Sequence, residues 1–254
     1  MSGMTVPLAL AAALVATSLV PAVAPSDAPA SGKPASGATK TPPEIEALVR
    51  RCVEAYGGNG AIARASVRRE EGRVTSLLHP GDVGHIVRSY QRPGKLRVEI
   101  SFPGVDPEIR VVDGERGWRE GTPVRGPRLE AMVLQAARLD LPALLSIPGV
   151  NIEDRGKGVV DGTTVRVLAI EPAPGLTVEA HLDVASGRIL KSRGSTGGPL
   201  TPIAFETTYG DYRKVDGVFV AFHEWNWANG KTTGETVIDK VEFLRELPAG
   251  TFAP

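Results

Sequence analysis

The chain has 254 residues, 42% of them hydrophobic and 23% charged, with 29 Lys+Arg against 29 Asp+Glu. That suits a globular protein with its own core, built as one large β domain or two small ones. The zero formal charge excludes the basic field that nucleic acid or an anionic membrane would need, and basic pairs such as Arg68-Arg69 run straight into Glu70-Glu71, which reads as a solvated strand face.

Val6 to Ala24, "VPLALAAALVATSLVPAVA", is apolar, rich in small residues and ends in Ala-x-Ala, and a second small-x-small site, Ala28-Pro29-Ala30, precedes Ser31. Residues 1–30 therefore read as a cleaved secretory signal peptide, which makes the protein exported and periplasmic, or secreted. No Lys or Arg precedes the apolar run. An uncleaved anchor is the competing reading, since the run approaches the ~20 residues a membrane span needs; Pro7, Pro21 and Thr17-Ser18 oppose it. Removing residues 1–30 takes away Asp27 and no base, leaving 29 bases against 28 acids, formally +1. Residues 31–43 continue a Pro, Ala, Ser, Gly and Thr tract with little to bury, expected to be a flexible leader. Residues 44–254 are expected to form the folded domain.

The domain opens with a helix. Ile45, Leu48, Val49, Cys52, Val53 and Tyr56 make one stripe at helical spacing, with Glu44 and Glu46 in the first turn and Gly57-Gly58 as the stop. Cys52 is the single cysteine, so no internal disulfide forms, and its place on the stripe predicts a buried structural thiol. "NGAIARA" predicts one more helical turn. After that the period drops to 2. "KLRVEISF" sets Leu96, Val98, Ile100 and Phe102 against Arg97, Glu99 and Ser101; "LTVEAHL" sets Leu176, Val178, Ala180 and Leu182 on one face; turn signals such as Asp113-Gly114, Asp216-Gly217 and Asn229-Gly230 separate the runs. The pattern predicts nine to eleven strands. One interruption is helical, "PRLEAMVLQAARLDLPALLSI", with Leu129, Met132, Val133, Ala136 and Leu139 or Leu141 on a stripe. Without β-helix-β alternation a parallel sheet is disfavoured. The expected architecture is mainly β: an antiparallel half-open barrel with an N-terminal helix and a helical lid.

The richest stretch for chemistry is "DGVFVAFHEWNWANGK", Asp216 to Lys231. Strand alternation puts Phe219, Ala221, His223, Trp225 and Trp227 on one face and Glu224 on the other, so His223 and Glu224 cannot act on the same atom. The four histidines (His79, His85, His181, His223) show no metal-pair spacing. Trp225 and Trp227 either pack as core or line a ligand cavity. "GSTGG" at Gly194 lacks the order of a nucleophile elbow, and no phosphate or dinucleotide loop is present. No catalytic residue, metal or cofactor is predicted.

Several segments together are familiar. "EAYGGNGAIARASVRREEG", "YQRPGKLRVEI", "VVDGERGW", "YGDYRKVDGVFVAF" and "ELPAGTFAP" resemble the LolA-like superfamily of outer-membrane lipoprotein-sorting and periplasmic carrier proteins, over about Glu44 to Pro254. Val220-Ala221-Phe222 stands where that pattern often has a proline. The resemblance implies an unclosed antiparallel barrel with a helical lid over a hydrophobic cavity that shelters acyl chains. The expected wall is Leu96, Val98, Ile100, Val178, Leu182, Phe205, Trp225 and Trp227, under Leu129, Met132 and Val133 of the lid. The expected ligand is a lipid or lipidated protein, with envelope membrane proteins as possible partners, no nucleic acid, and a monomeric state. The alternatives are an envelope-sensing or protein-interaction module with a filled core, or a secreted hydrolase using Glu99, Asp183 and Glu224.

Overall fold

The computed structural model describes residues 41–196 and 202–254. The signal-peptide expectation for residues 1–30, and all but the end of the 31–43 leader, lie outside the described residues.

Helix α1 (Pro43–Ala55) starts where Pro42-Pro43 pre-set the backbone; Glu44 and Glu46 sit in its first turn and Ile45, Leu48, Cys52 and Val53 are buried. Gly57, at φ 98°, turns the chain into α2 (Gly58–Arg64). Strands β1 (Val67–Ser76), β2 (His79–Gln91), β3 (Lys95–Ser101), β4 (Glu108–Asp113), β5 (Arg116–Arg119) and β6 (Thr122–Val124) follow as a meander. Helices α3 (Pro127–Arg138) and α4 (Leu141–Leu145) interrupt it, and β7 (Glu153–Val160), β8 (Thr163–Ala173), β9 (Leu176–Asp183), β10 (Ile189–Thr196), β11 (Ile203–Val215), β12 (Val218–Ala228) and β13 (Lys231–Phe243) complete it.

The thirteen strands among the described residues form one antiparallel sheet, ordered β6-β5-β4-β3-β2-β1-β13-β12-β11-β10-β9-β8-β7. The pairing of β1 with β13 joins the two halves of the chain, in a ladder that runs Arg68↔Phe243 to Ser76↔Gly234. Strands β6 and β7 are the free ends, so the barrel does not close. How far the sheet curls follows from what α3 touches: β4 and β5 on one side, β8, β9 and β10 on the other. Strands β4 and β9 lie eight places apart in the order, which is roughly 38 Å across a flat sheet. A helix about 10–12 Å wide reaches both only if the sheet wraps around it.

The mainly β, antiparallel, half-open architecture is therefore as the residue pattern implies, with thirteen strands among the described residues rather than nine to eleven. Strands β5 and β6 have four and three residues, too few to display a period of 2. Strand β7, "EDRGKGVV", is polar and mostly exposed, an edge strand without an apolar face.

Candidate functional site

Two glycines seat α3 between the limbs of the curled sheet. A Cβ on Gly117 of β5 would lie 2.7 Å from Leu129 Cδ1, and one on Gly194 of β10 would lie 3.1 Å from Leu134 Cδ1. Both positions let a leucine of the helix press onto the sheet backbone. The helix consequently buries more than the single stripe expected for it. Met132 and Ala136 pack with Tyr90, Leu96, Val98 and Val112 on the β2–β4 limb. Leu134 and Ala137 pack with Leu168, Val178, Ala180 and Leu182 on the β8–β10 limb, together with Ile45, Leu48 and Cys52 of α1 and Leu141 and Leu145 of α4. A helix apolar on two sides is shaped for the inside of a fold.

The residues expected to form one wall are divided by this helix. Leu96, Val98 and Met132, with Ile100, Leu129 and Val133 packed against them, belong to the β2–β4 side. Val178 and Leu182 belong to the other. Phe205 pairs with Gly194 and Ala228 and is 37% exposed, so it stands at the rim. Trp225 and Trp227 do not share the inner face: Trp225 stacks on His223 at 3.8 Å between ring centroids and covers Gly210, whereas Glu224 points in. Both alternating sets of β12 are apolar, and the carboxylate of Glu224 goes inside because a buried arginine meets it there.

That arginine belongs to a charged seam between the two apolar clusters. Arg88 of β2, 2% exposed, binds Glu70 of β1 at 2.8 Å and both carboxylate oxygens of Glu224 at 3.0 and 2.9 Å. Arg68 Nε lies 3.3 Å from Glu70, and Arg68 Nη2 donates to the carbonyl of Leu139, just past α3, at 2.6 Å. Arg138, on the last turn of α3, reaches Glu224 at 3.6 Å and donates to Asn226 Oδ1 at 3.1 Å and to Thr207 Oγ1. Arg92 closes the end of the seam with a two-pronged bond to Asp140 at 2.6 and 2.5 Å and a 3.3 Å bond to the carbonyl of Ile62. Burial alone would raise the Glu224 carboxyl; Arg88, then Arg138, more than reverse this and hold it below the usual glutamate range. Burial lowers Arg88, yet Glu224 and Glu70 together raise it above the usual arginine value. Both charges therefore persist at neutral pH.

The strand face expected to be solvated is thus split by alternation: Arg68 and Glu70 are buried while Arg69 and Glu71 are not. The space left beside the seam is a cavity of ≈ 80 Å³, bounded by charged groups (Arg68, Glu70, Arg92, Arg138, Asp140, Glu224) and by apolar ones that include Leu139, Leu141 and Val220. Drug-sized ligands occupy about 300–1,000 Å³, so this cavity holds a few waters or a small polar group and no acyl chain. The carboxylates of the hydrolase alternative have separate partners: Glu99 binds Arg97, Asp183 binds Ser186, and Glu224 binds Arg88. Burial pushes the Cys52 thiol up to about 12, a neutral and unreactive group.

No family model matches the chain, and no curated protein matches it. Solved structures do. An outer membrane lipoprotein-sorting protein domain from Vibrio parahaemolyticus is similar at 13% identity and a TM-score of 0.51, covering 82% of this chain and 97% of that one. A LolA superfamily protein from Nitrosomonas europaea is similar at 12% identity and a TM-score of 0.55, covering 83% and 97%. At such identities the likeness is one of backbone architecture, and on it the protein has the LolA-like fold.

Proposed function

We propose that this protein is an exported, non-catalytic binding protein that holds a hydrophobic ligand, a lipid or the acyl chain of a lipidated protein, after α3 and α4 swing away from the sheet. The observation that carries the reading is the split interior: one helix separates two apolar walls and is tied down at its C-terminal end by charges. Parting apolar surfaces costs about 25 cal/mol per Å². Parting a charged seam returns hydration to groups whose burial was nearly offset by their attraction, so that end is the natural place for opening to begin. Once exposed, the walls around Leu96, Val98, Val178 and Leu182 offer an acyl chain ~0.8 kcal/mol per CH₂, on the order of 10 kcal/mol for sixteen carbons before ordering costs. The LolA-like fold supports an envelope setting and a lipid or lipidated partner. Titration with a fluorescent fatty acid, alongside native mass spectrometry of the purified protein, tests this: saturable binding or a co-purifying lipid is expected, and neither would appear if the reading fails.

One observation favours a second reading. Between the apolar clusters the seam leaves a cavity of only ≈ 80 Å³, which suits a protein-interaction or envelope-sensing module of the same fold. On that reading no acyl probe binds and α3 stays seated until the whole domain unfolds.

A further inference from the structure

The chain as a whole is neutral; the seam, among the described residues, is not. The seam contains four arginines, Arg68, Arg88, Arg92 and Arg138, and three carboxylates, Glu70, Asp140 and Glu224, so 4 − 3 leaves one positive charge over. The surplus falls on Arg138. Arg88 takes both oxygens of Glu224 at 3.0 and 2.9 Å, Arg138 sits farther away at 3.6 Å, and Arg92 occupies Asp140. The Nε–H groups of Arg68, Arg88 and Arg138 are all buried without a hydrogen-bond partner among the described residues. Those of Arg68 and Arg88 lie 3.3 and 2.8 Å from Glu70, whereas Arg138, its side chain 16% exposed, has as carboxylate contact only the 3.6 Å approach of its Nη2 to Glu224. An arginine in this position has a donor to offer and a charge to compensate. It also borders the ≈ 80 Å³ cavity, whose boundary includes Arg68 and Arg92, the paired carboxylates Glu70, Asp140 and Glu224, and the apolar Leu139, Leu141 and Val220. The space is enough for a few waters or one small oxyanion.

We propose that the cavity beside Arg138 is an oxyanion site, which takes the carboxylate or phosphate head of an amphiphile while the tail lies along the walls opened by α3. The tail half of this statement rests on the ligand class proposed above; the head half rests on the charge surplus alone. A charge-assisted bond from a guanidinium is roughly twice as strong as a neutral one. Arg138 therefore discriminates between an acid and its uncharged counterpart of equal chain length. It rides on α3, so engaging the head also couples ligand binding to the position of the helix.

The experiment compares dodecanoate, methyl dodecanoate and inorganic phosphate on the purified protein, by displacement of a fluorescent fatty acid and by calorimetry. Dodecanoate is expected to bind about tenfold more tightly than the methyl ester, with the gap narrowing at high salt and falling to under about threefold in Arg138→Gln. Equal affinities of acid and ester in the unmodified protein overturn the oxyanion site while leaving the hydrophobic-ligand reading intact, and this comparison needs no variant to fold. A gap that persists in a folded Arg138→Gln protein also overturns it. If neither amphiphile binds, the hydrophobic-ligand reading fails, and phosphate decides the rest. Calorimetric phosphate binding that disappears in Arg138→Gln upholds a site for the free anion, and absence of phosphate binding removes the site altogether.

Discussion

Helix α3 is held in two different ways along its length. From Leu129 to Leu134 the grip is apolar, with leucines pressed onto Gly117 and Gly194 and methyl groups packed against both limbs of the sheet. From Arg138 to Asp140 it is ionic, through Glu224, the Arg68 bond to the Leu139 carbonyl, and the Arg92–Asp140 pair. The first grip is strong and indifferent to pH and salt. The second is nearly balanced between desolvation and attraction, so small changes in charge decide it. A lid needs both: a seat to return to and an end that releases.

Substitutions separate the two grips. The largest effect is expected from Glu224→Gln, which leaves Arg88 with Glu70 alone and Arg138 without a carboxylate; urea denaturation should report a loss of about 3–5 kcal/mol. Leu134→Ala empties a buried site between the limbs and should cost about 2–5 kcal/mol, with no added sensitivity to salt. Gly194→Val drives two methyls into Leu134, already 3.1 Å from where a Cβ would lie, and should cost about 1–3 kcal/mol while displacing α3.

Acid acts only on the ionic end. The folded-state pKa of Glu224 lies below its ordinary value, so its contribution is complete above the ordinary glutamate pKa and disappears as pH falls through the depressed folded value. Arg88, Arg138 and Arg68 are the charges that face it. Urea midpoints measured from neutral pH downward should fall more in the unmodified protein than in Glu224→Gln. The smallest effect belongs to Arg138→Gln. It removes the surplus cation together with its hydrogen bonds, two opposing changes, so stability should shift by no more than about 1 kcal/mol. A loss as large as that of Glu224→Gln would mean that Arg138 is a full member of the pairing scheme.

The same contrast explains what the residue pattern could convey. The stripe Ile45, Leu48, Cys52 of α1 and the alternation Leu96, Val98 of β3 announce buried faces by period alone, and both faces are buried. In β12 the period is clear but the inward set is not, since Val218, Val220 and Phe222 compete with Phe219, Trp225 and Trp227. The choice depends on Arg88, 136 residues away in sequence. Arg68-Arg69-Glu70-Glu71 hides a buried pair inside an apparently solvated run for a related reason: Arg68 and Glu70 face each other, and what keeps them inside comes from farther along the chain, Arg88 for Glu70 and the Leu139 carbonyl for Arg68. The double apolar face of α3 is visible in Leu134 and Ala137 beside Met132 and Ala136; reading the helix as a one-sided lid obscures it. The cavity, set by the remainder after packing, has no local signature at all.

Whether α3 is a lid or a fixed plug is decided most directly by native-state hydrogen exchange of its backbone amides. A lid predicts that residues 128–145 exchange through an opening of lower free energy than global unfolding, with β1, β2, β12 and β13 still protected. Exchange of these helix amides only at the rate of global unfolding, in step with those central strands, would contradict a mobile α3 and leave the protein a filled barrel.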